Sequence, residues 1–328
     1  IASTGFAVLG KKDNADLDFI YHSLFSNAVE KQIETLVVGS NYPALNTGDI
    51  RKLKILTPSL PTQRKISHIL STADAVIEKT QAAIAKYKSI KQGMLHDLFT
   101  RGIDITTGKL RPKYEEASEL YKESSLGFIP VEWQEGKLGN IISVSSGAGL
   151  TQNNIRPGIH PVYGGNGING YHSEFLFKEE RLIIGRVGEY CGNAFITKPF
   201  SWVTDNALVV TALEKEFILE YWAFFLNYLD LNSIAFAAAQ PVITGGIINK
   251  VEIVKVPPPE QQKIAERLIS IENKLATDQT YLHKLQQLKQ GLMGDLLSGR
   301  KCLNYDCGDL HDYHDDDEKV KSPESQKS

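Results

Sequence analysis

Apolar residues recur every three or four positions along two long stretches of the chain. In the first, Ile66, Leu70, Ala73, Ile77, Ile84, Tyr87, Met94 and Leu98 keep the spacing, and Thr80 and Lys91 fill its two gaps. In the second, Ile264, Leu268, Ile271, Leu275, Leu282, Leu285, Leu292 and Leu296 do the same, with Asp278 and Lys289 in the gaps. Such spacing predicts two amphipathic helices, each with a coiled-coil seam of roughly four to five heptads. A proline precedes each stretch and a glycine, Gly102 or Gly299, follows it, as start and stop signals. About 37 residues rising 1.5 Å each give a rod of roughly 55 Å. That is on the order of one and a half turns of B-DNA, at about 34 Å per turn. On periodicity alone, a generic bundle or oligomerisation helix is the simpler reading.

The two stretches are related beyond their seams. At a constant offset of 198 residues, Gly48, Ile50 and Lys52 align with Gly246, Ile248 and Lys250, and Pro61, Gln63, Lys65 and Ile66 with Pro259, Gln261, Lys263 and Ile264. "KQGMLHDLF" from Lys91 likewise matches "KQGLMGDLL" from Lys289, and 16 of the 55 positions from Asn46 to Thr100 are identical without a gap. The chain therefore contains one structural unit twice. Each copy runs from a short strand-like apolar alternation through a proline-marked turn into a long helix. Seams that share length and defects predict that the helices pack on each other, antiparallel because a whole domain lies between them.

That intervening segment follows a polar linker, "TRGIDITTGKLRPKYEEASELYKESS", and extends from Leu126 to Pro258. It reads as short strands separated by Gly, Asn and Pro. "ERLIIGRVGEYCGNAFI" and "SWVTDNALVVTAL" suggest buried strands with tight turns, and "EFILEYWAFFLNYL" one amphipathic helix. The fold class is α+β, with short mixed strands and helices beside two long helices. Within it, "PVYGGNGINGYH" contains GxGxxG at Gly165, Gly167 and Gly170. A dinucleotide-binding loop would leave a buried strand and open a helix, and neither flank supplies that. The glycines and asparagines instead read as an exposed turn that touches a partner.

Composition narrows the functional classes. A chain of 328 residues has room for two domains. Its net charge of -3 gives no overall basic signature. No apolar run approaches the roughly 18 residues of a membrane span and no secretory leader is visible. Cys191, Cys302 and Cys307 are too few and too unevenly placed for a disulfide framework, which predicts a reducing cytoplasm. An Asn-Pro-Pro-Tyr methyltransferase signature and a GxxxxGK[ST] loop are both absent. Cys302, Cys307, His311 and His314 are spaced unlike ordinary zinc ligands, so no metal is expected, and the acidic tail around them reads as disordered.

Taken together, "GFIPVEW…KLG", "VYGGNGINGY", "IIGRVG…CGN" and "PPPEQQKIAERL…LKQGLMGDLL", with the two-fold repeat, make the chain resemble the DNA-specificity subunit of type I restriction-modification systems. The resemblance covers Ile1 to about Arg300. It implies a non-catalytic scaffold whose recognition domains each read half of a split target in double-stranded DNA. Its paired helices would act as spacer and dock two methyltransferase subunits, and through the complex a restriction-translocase. S-adenosylmethionine, ATP and Mg would belong to those partners, with no cofactor in this chain. The plan it implies is 1–60, the C-terminal part of a first recognition domain; 61–100, the first helix; 101–125, linker; 126–258, the second recognition domain; 259–299, the second helix; 300–328, tail.

In this reading, Thr151, Gln152, Asn153, Asn154, Arg156, Tyr163, Asn166, Asn169, Tyr171, His172, Arg186 and Asn193 are candidate DNA contacts, since Asn and Arg offer donors and acceptors to base edges or phosphates. For each, a turn or core role is at least as good a reading. Ile66, Leu70, Ile77, Ile84, Leu98, Ile264, Leu268, Leu275, Leu282 and Leu296 are assigned to the spacer and docking helices, through which self-association is also possible. The first copy lacks the counterpart of about Leu126 to Phe200, so the sequence is either a truncated piece or a natural half-domain, and it should expose apolar surface. Between Leu126 and Glu260 there are 9 Lys and Arg against 13 Asp and Glu, whereas Pro61 to Lys113 carries 10 against 4. A recognition domain without a basic stripe is expected to bind DNA weakly alone. The competing reading is a coiled-coil adaptor whose globular domain binds protein.

Overall fold

The computed structural model describes residues 8–10, 13–37, 45–235 and 241–299. The helices are α1 (Leu17–Leu24), α2 (Asn27–Leu36), α3 (Thr47–Ile50), α4 (Leu60–Thr100), α5 (Leu219–Tyr228), α6 (Gly245–Ile248) and α7 (Pro258–Leu296). The strands are β1 (Tyr121–Ser124), β2 (Gly127–Pro130), β3 (Gln134–Lys137), β4 (Ile142–Ser146), β5 (His160–Gly164), β6 (Gly167–His172), β7 (Leu182–Gly185), β8 (Ala194–Ile196), β9 (Trp202–Val203), β10 (Ala207–Ala212) and β11 (Glu252–Lys255). The α+β class is as expected from the sequence. The described residues form two compact units, one between 86 and 276 and one before 86 and after 276, and the residues of each long helix are divided between them. The acidic tail with its Cys and His residues lies outside the described residues.

In the larger unit, β4-β10-β7-β8 form an antiparallel four-stranded sheet, and β6-β5-β9 a three-stranded one in which β9 runs parallel to β5. Because side chains alternate across a strand, the four-stranded sheet buries both faces. Ile183, Ala207 and Val209 meet Tyr163 and Val203 of the other sheet. Leu182, Ile184, Leu208 and Val210 join Tyr221, Trp222, Phe225 and Leu226 of α5, Leu98 of α4 and Ile264 and Leu268 of α7 in the main core.

The segment 101–125, expected to be a linker, is folded at both ends, since β1 at its end pairs with β2. Ile103 pairs with Leu110 in a β-bridge, and Ile103 and Arg111 are buried. Its anchor is Glu260, itself buried near the start of α7. The Glu260 carboxylate accepts Arg111 Nη1 at 2.5 Å and Nη2 at 3.1 Å, Trp133 Nε1 at 2.9 Å and the Ile103 amide at 2.7 Å. Four charge-assisted bonds satisfy a carboxylate that would otherwise be costly to bury. Gly102 sits beside it at φ +63, where a Cβ would collide with Glu260 and Trp133, so the sharp exit from α4 requires glycine. The "RG", "VEW" and "PEQ" stretches of the sequence thus meet at one carboxylate.

The smaller unit is held by Phe19, Ile66, Leu70 and Leu296. In it the start of α4 lies against the end of α7, and Asp74 pairs with Lys289. Within the larger unit the end of α4 lies against the start of α7, and Lys91 pairs with Glu272. In each unit, then, rising numbers in α4 meet falling numbers in α7, and the helices are antiparallel. Both ion pairs have residue numbers that sum to 363, and the repeat offset of 198 converts Asp74 and Lys91 into Glu272 and Lys289. The lysines that interrupt the two seams therefore sit opposite repeat-related carboxylates.

The seam residues behave as their spacing predicts. Ile66, Leu70, Ile84, Leu98, Ile264, Leu268, Leu275 and Leu296 are buried, and Ile77 and Leu282 half-buried. Repeat equivalence extends to side-chain bonds. Gln63 Nε2 donates to Pro58 O, and its counterpart Gln261 Nε2 to Val256 O, both at 2.8 Å. One expected feature differs. The apolar alternation after Lys52 forms no strand, although its counterpart does as β11, which pairs with β3. In the first copy the Gln32 side-chain amide takes that strand's place, accepting from Lys54 N at 2.8 Å and donating to Lys54 O at 2.9 Å. Leu17 and Tyr21 on α1 and Phe25 at its C-terminal cap stand exposed four residues apart.

Candidate nucleic-acid interface

The glycine-rich stretch is a β-hairpin. β5 and β6 pair from His160↔His172 to Gly164↔Gly167 around the two-residue turn Gly165–Asn166, with an irregularity at Val162/Tyr163. Gly167 adopts φ +87, which accounts for glycine there. Two of the GxGxxG glycines, Gly167 and Gly170, lie within strand β6, where a cofactor loop would need a helix N-terminus.

Several loops meet at the turn end of this hairpin. Gly147 N and Ala148 N donate to Ala207 O and Val203 O, Thr204 N to Tyr163 O, Arg186 N to Asn206 O, and Ile243 N to Arg186 O, at 2.8 to 3.1 Å. Glycine permits backbone to lie on backbone here. A Cβ on Gly165 would sit 3.0 Å from Asn206 O and 3.2 Å from Val187 O, and one on Gly185 would strike Gly165 O. The loops at 146–149, 165–166, 186–188 and 204–206 are thereby fixed as one surface. Arg186 lies within it, with Nη1 3.3 Å from both Ser146 Oγ and Asp205 O.

The expected contact residues fall into three sets. Asn166 and Asn169 are exposed toward the turn end, where Asn169 lies over Gly164, and Arg186 is half-buried beside them. Thr151, Asn153, Asn154, Arg156 and Tyr171 are exposed on the segment 151–156 and the far end of β6. The short helical turn Gln152–Asn154 carries part of this set. His172 ties it together, accepting Arg156 N on Nδ1 at 3.0 Å and meeting Trp202 edge to face. The third set is buried or held by its main chain. Tyr163 is buried with its hydroxyl accepting Lys198 N at 2.9 Å, His172 is buried, and Asn193 is half-buried with its backbone carbonyl accepting Gly185 N. Ser146, Asp205 and Asn206 share the turn-end surface but were not among the candidates; the "TDN" between two apolar runs was the available signal.

Among the described residues, no group of three or more His, Cys, Asp or Glu could hold a metal, and no helix is long and apolar enough to cross a membrane.

Comparison with known proteins gives a consistent result. The profile of the type I restriction modification DNA specificity domain matches residues 1–86 and 130–289. The chain is 27% identical over 274 residues to the type I restriction enzyme EcoprrI specificity subunit of Escherichia coli, covering 80% of this chain and 63% of that one. It is 26% identical over 277 residues to the putative type I restriction enzyme MjaX specificity subunit of Methanocaldococcus jannaschii, covering 79% and 62%. The chain thus spans somewhat under two thirds of the length of these relatives. In fold, it resembles the crystal structure of a type I restriction-modification system S subunit from M. genitalium, with a TM-score of 0.61 at 19% identity over 87% of this chain and 73% of that one. Repeat, helix pair and profile agree, and the chain belongs to the type I restriction-modification DNA specificity family.

Proposed function

We propose that this chain reads a DNA sequence on behalf of a methyltransferase and carries out no chemistry itself. The observation that carries the reading is the repeat-related antiparallel pairing of α4 with α7, with its two exchanged Lys–carboxylate pairs. A scaffold with internal two-fold character suits a split target, because each repeat brings one recognition domain to one half-site. The helices then set the separation of the half-sites, and the sequence-reading surface is the set of glycine-fixed loops at the hairpin turn. The same symmetry supports two methyltransferase subunits. Ile90 and Leu288 occupy equivalent repeat positions and are 40% and 60% exposed, which gives two equivalent apolar spots on the helix surfaces. The cofactors of methyl transfer and of any coupled nuclease belong to the partners, and the complex works in the cytoplasm.

Charge makes a further demand. The recognition segment is acidic overall, so phosphate neutralisation, a main source of DNA affinity, must come largely from the partners. Fluorescence anisotropy with duplex DNA tests this. The chain alone should bind in the non-specific range of roughly 10⁻⁴ to 10⁻⁶ M, and the complex with its methyltransferase should bind a specific duplex at least about 1,000-fold more tightly. Equal, DNA-independent behaviour of chain and complex would favour the protein-binding adaptor.

A further inference from the structure

We propose that Arg186 is a specificity-determining residue that makes the recognition domain require a guanine at one position of its half-site. The inference rests on the DNA-reading function proposed above. Of the three arginines between residues 126 and 258, Arg156 faces Glu174 at 3.6 Å and Arg181 faces Glu179 at 3.8 Å. Arg186 alone has no carboxylate partner among the described residues, and its guanidinium bonds to two neutral oxygens, Ser146 Oγ and Asp205 O. Both bonds use Nη1 and are long, and Nε is buried, so the fork available to an external acceptor is Nη2 together with Nη1, which would exchange one of these 3.3 Å contacts for it. A half-buried cation whose charge is not neutralised is poised for an external acceptor.

Its surroundings hold it in place. The backbone of Arg186 is pinned on both sides, N to Asn206 O and O from Ile243 N, each at 2.9 Å. Gly185 and Gly165 allow the adjoining loops to close against it with no intervening side chain. The guanidinium is thus held by three loops of a rigid surface rather than swinging on a free stem, and less conformational entropy is lost when it binds. A forked guanidinium matches O6 and N7 of guanine in the major groove, whereas an ammonium does so only as a point charge. A phosphate oxygen offers the same acceptor chemistry without sequence information, and the two sources differ in what they do to the recognised motif.

The test is to express the chain with its methyltransferase partner in a methylation-free host, as wild type, Arg186→Ala and Arg186→Lys, and to map methylated sites at base resolution over a randomised library. Wild type should require G at one position of one half-site. Arg186→Ala should lose that requirement, worth about 5- to 150-fold in discrimination, while every other motif position is kept. Arg186→Lys should fail to restore it, and because it preserves the stem and the charge it carries the test if the alanine variant does not fold. A uniform fall in methylation with the motif unchanged assigns Arg186 to a phosphate and overturns the proposal, as does an unchanged motif at an unchanged level. Sequence-independent or absent methylation by wild type would overturn the DNA-reading function itself and this proposal with it.

Discussion

At the scale of single residues, Glu260 ties the start of α7 to three other parts of the larger unit. It bonds at once to the segment leaving α4, to Trp133 at the domain entrance and to Arg111. Glu260→Ala would take from the buried Arg111 its bidentate partner and leave it only Glu132 at 3.6 Å and the Arg101 carbonyl, and removing one partner of a buried pair costs about 3 to 5 kcal/mol. Thermal unfolding should therefore show a large drop, and a drop within error of a surface variant would contradict this role. None of it was legible in the sequence, where Arg111 and Glu260 stand 149 residues apart and the Gly- and Thr-rich stretch around 101–111 has the composition of a linker. His22 carries a pH prediction. Burial lowers its pKa below 6.5, Asp74 opposes this, and Lys289 lowers it further. The unfolded chain takes up a proton below about pH 6.5 while the folded chain resists it, so stability present above that pH is lost as pH falls toward the depressed folded value. Melting temperatures at pH 7.5 and 5.5 should diverge less in His22→Gln, which cannot titrate, than in wild type; an equal divergence would place the acid sensitivity elsewhere.

At the scale of elements, the long helices were legible because a 3.6-residue period over some forty residues is the strongest local signal a sequence holds. The lysines at 91 and 289 looked like defects in the seams and are charged pairs across them. A polar residue at such a position specifies register at some cost in stability. Lys91→Glu sets two carboxylates against each other and should destabilise the larger unit, and adding Glu272→Lys should recover about 0.5 to 1 kcal/mol of coupling in a double-mutant cycle, the range for partly exposed pairs. Zero coupling would mean the pair is incidental. The strands were less legible. β9 is two residues long and runs parallel to β5, a pairing with no local signature. The alternation after Lys52 misled because a strand needs a partner, and there a glutamine amide supplies the two bonds a neighbouring strand would have made. In the hairpin, the turn was readable from its glycines, but the inward placement of Tyr163 and His172 depended on Lys198 and Trp202, far along the chain.

At the scale of the whole molecule, the function proposed above makes the paired helices a ruler between two DNA half-sites. The offset of 198 and the pair sum of 363 coincide near Ala82 and Thr280, so a heptad inserted after each keeps the flanking seams in register. Seven residues at about 1.5 Å each lengthen the pair by roughly 10 Å, or about three base pairs at 3.4 Å each. The most direct measurement is base-resolution methylation mapping of the complex carrying both insertions beside the wild-type complex. A helical ruler retains both half-site sequences while the unread spacer between them grows by about three base pairs. An unchanged spacer, with methylation still at the wild-type motif, would contradict it.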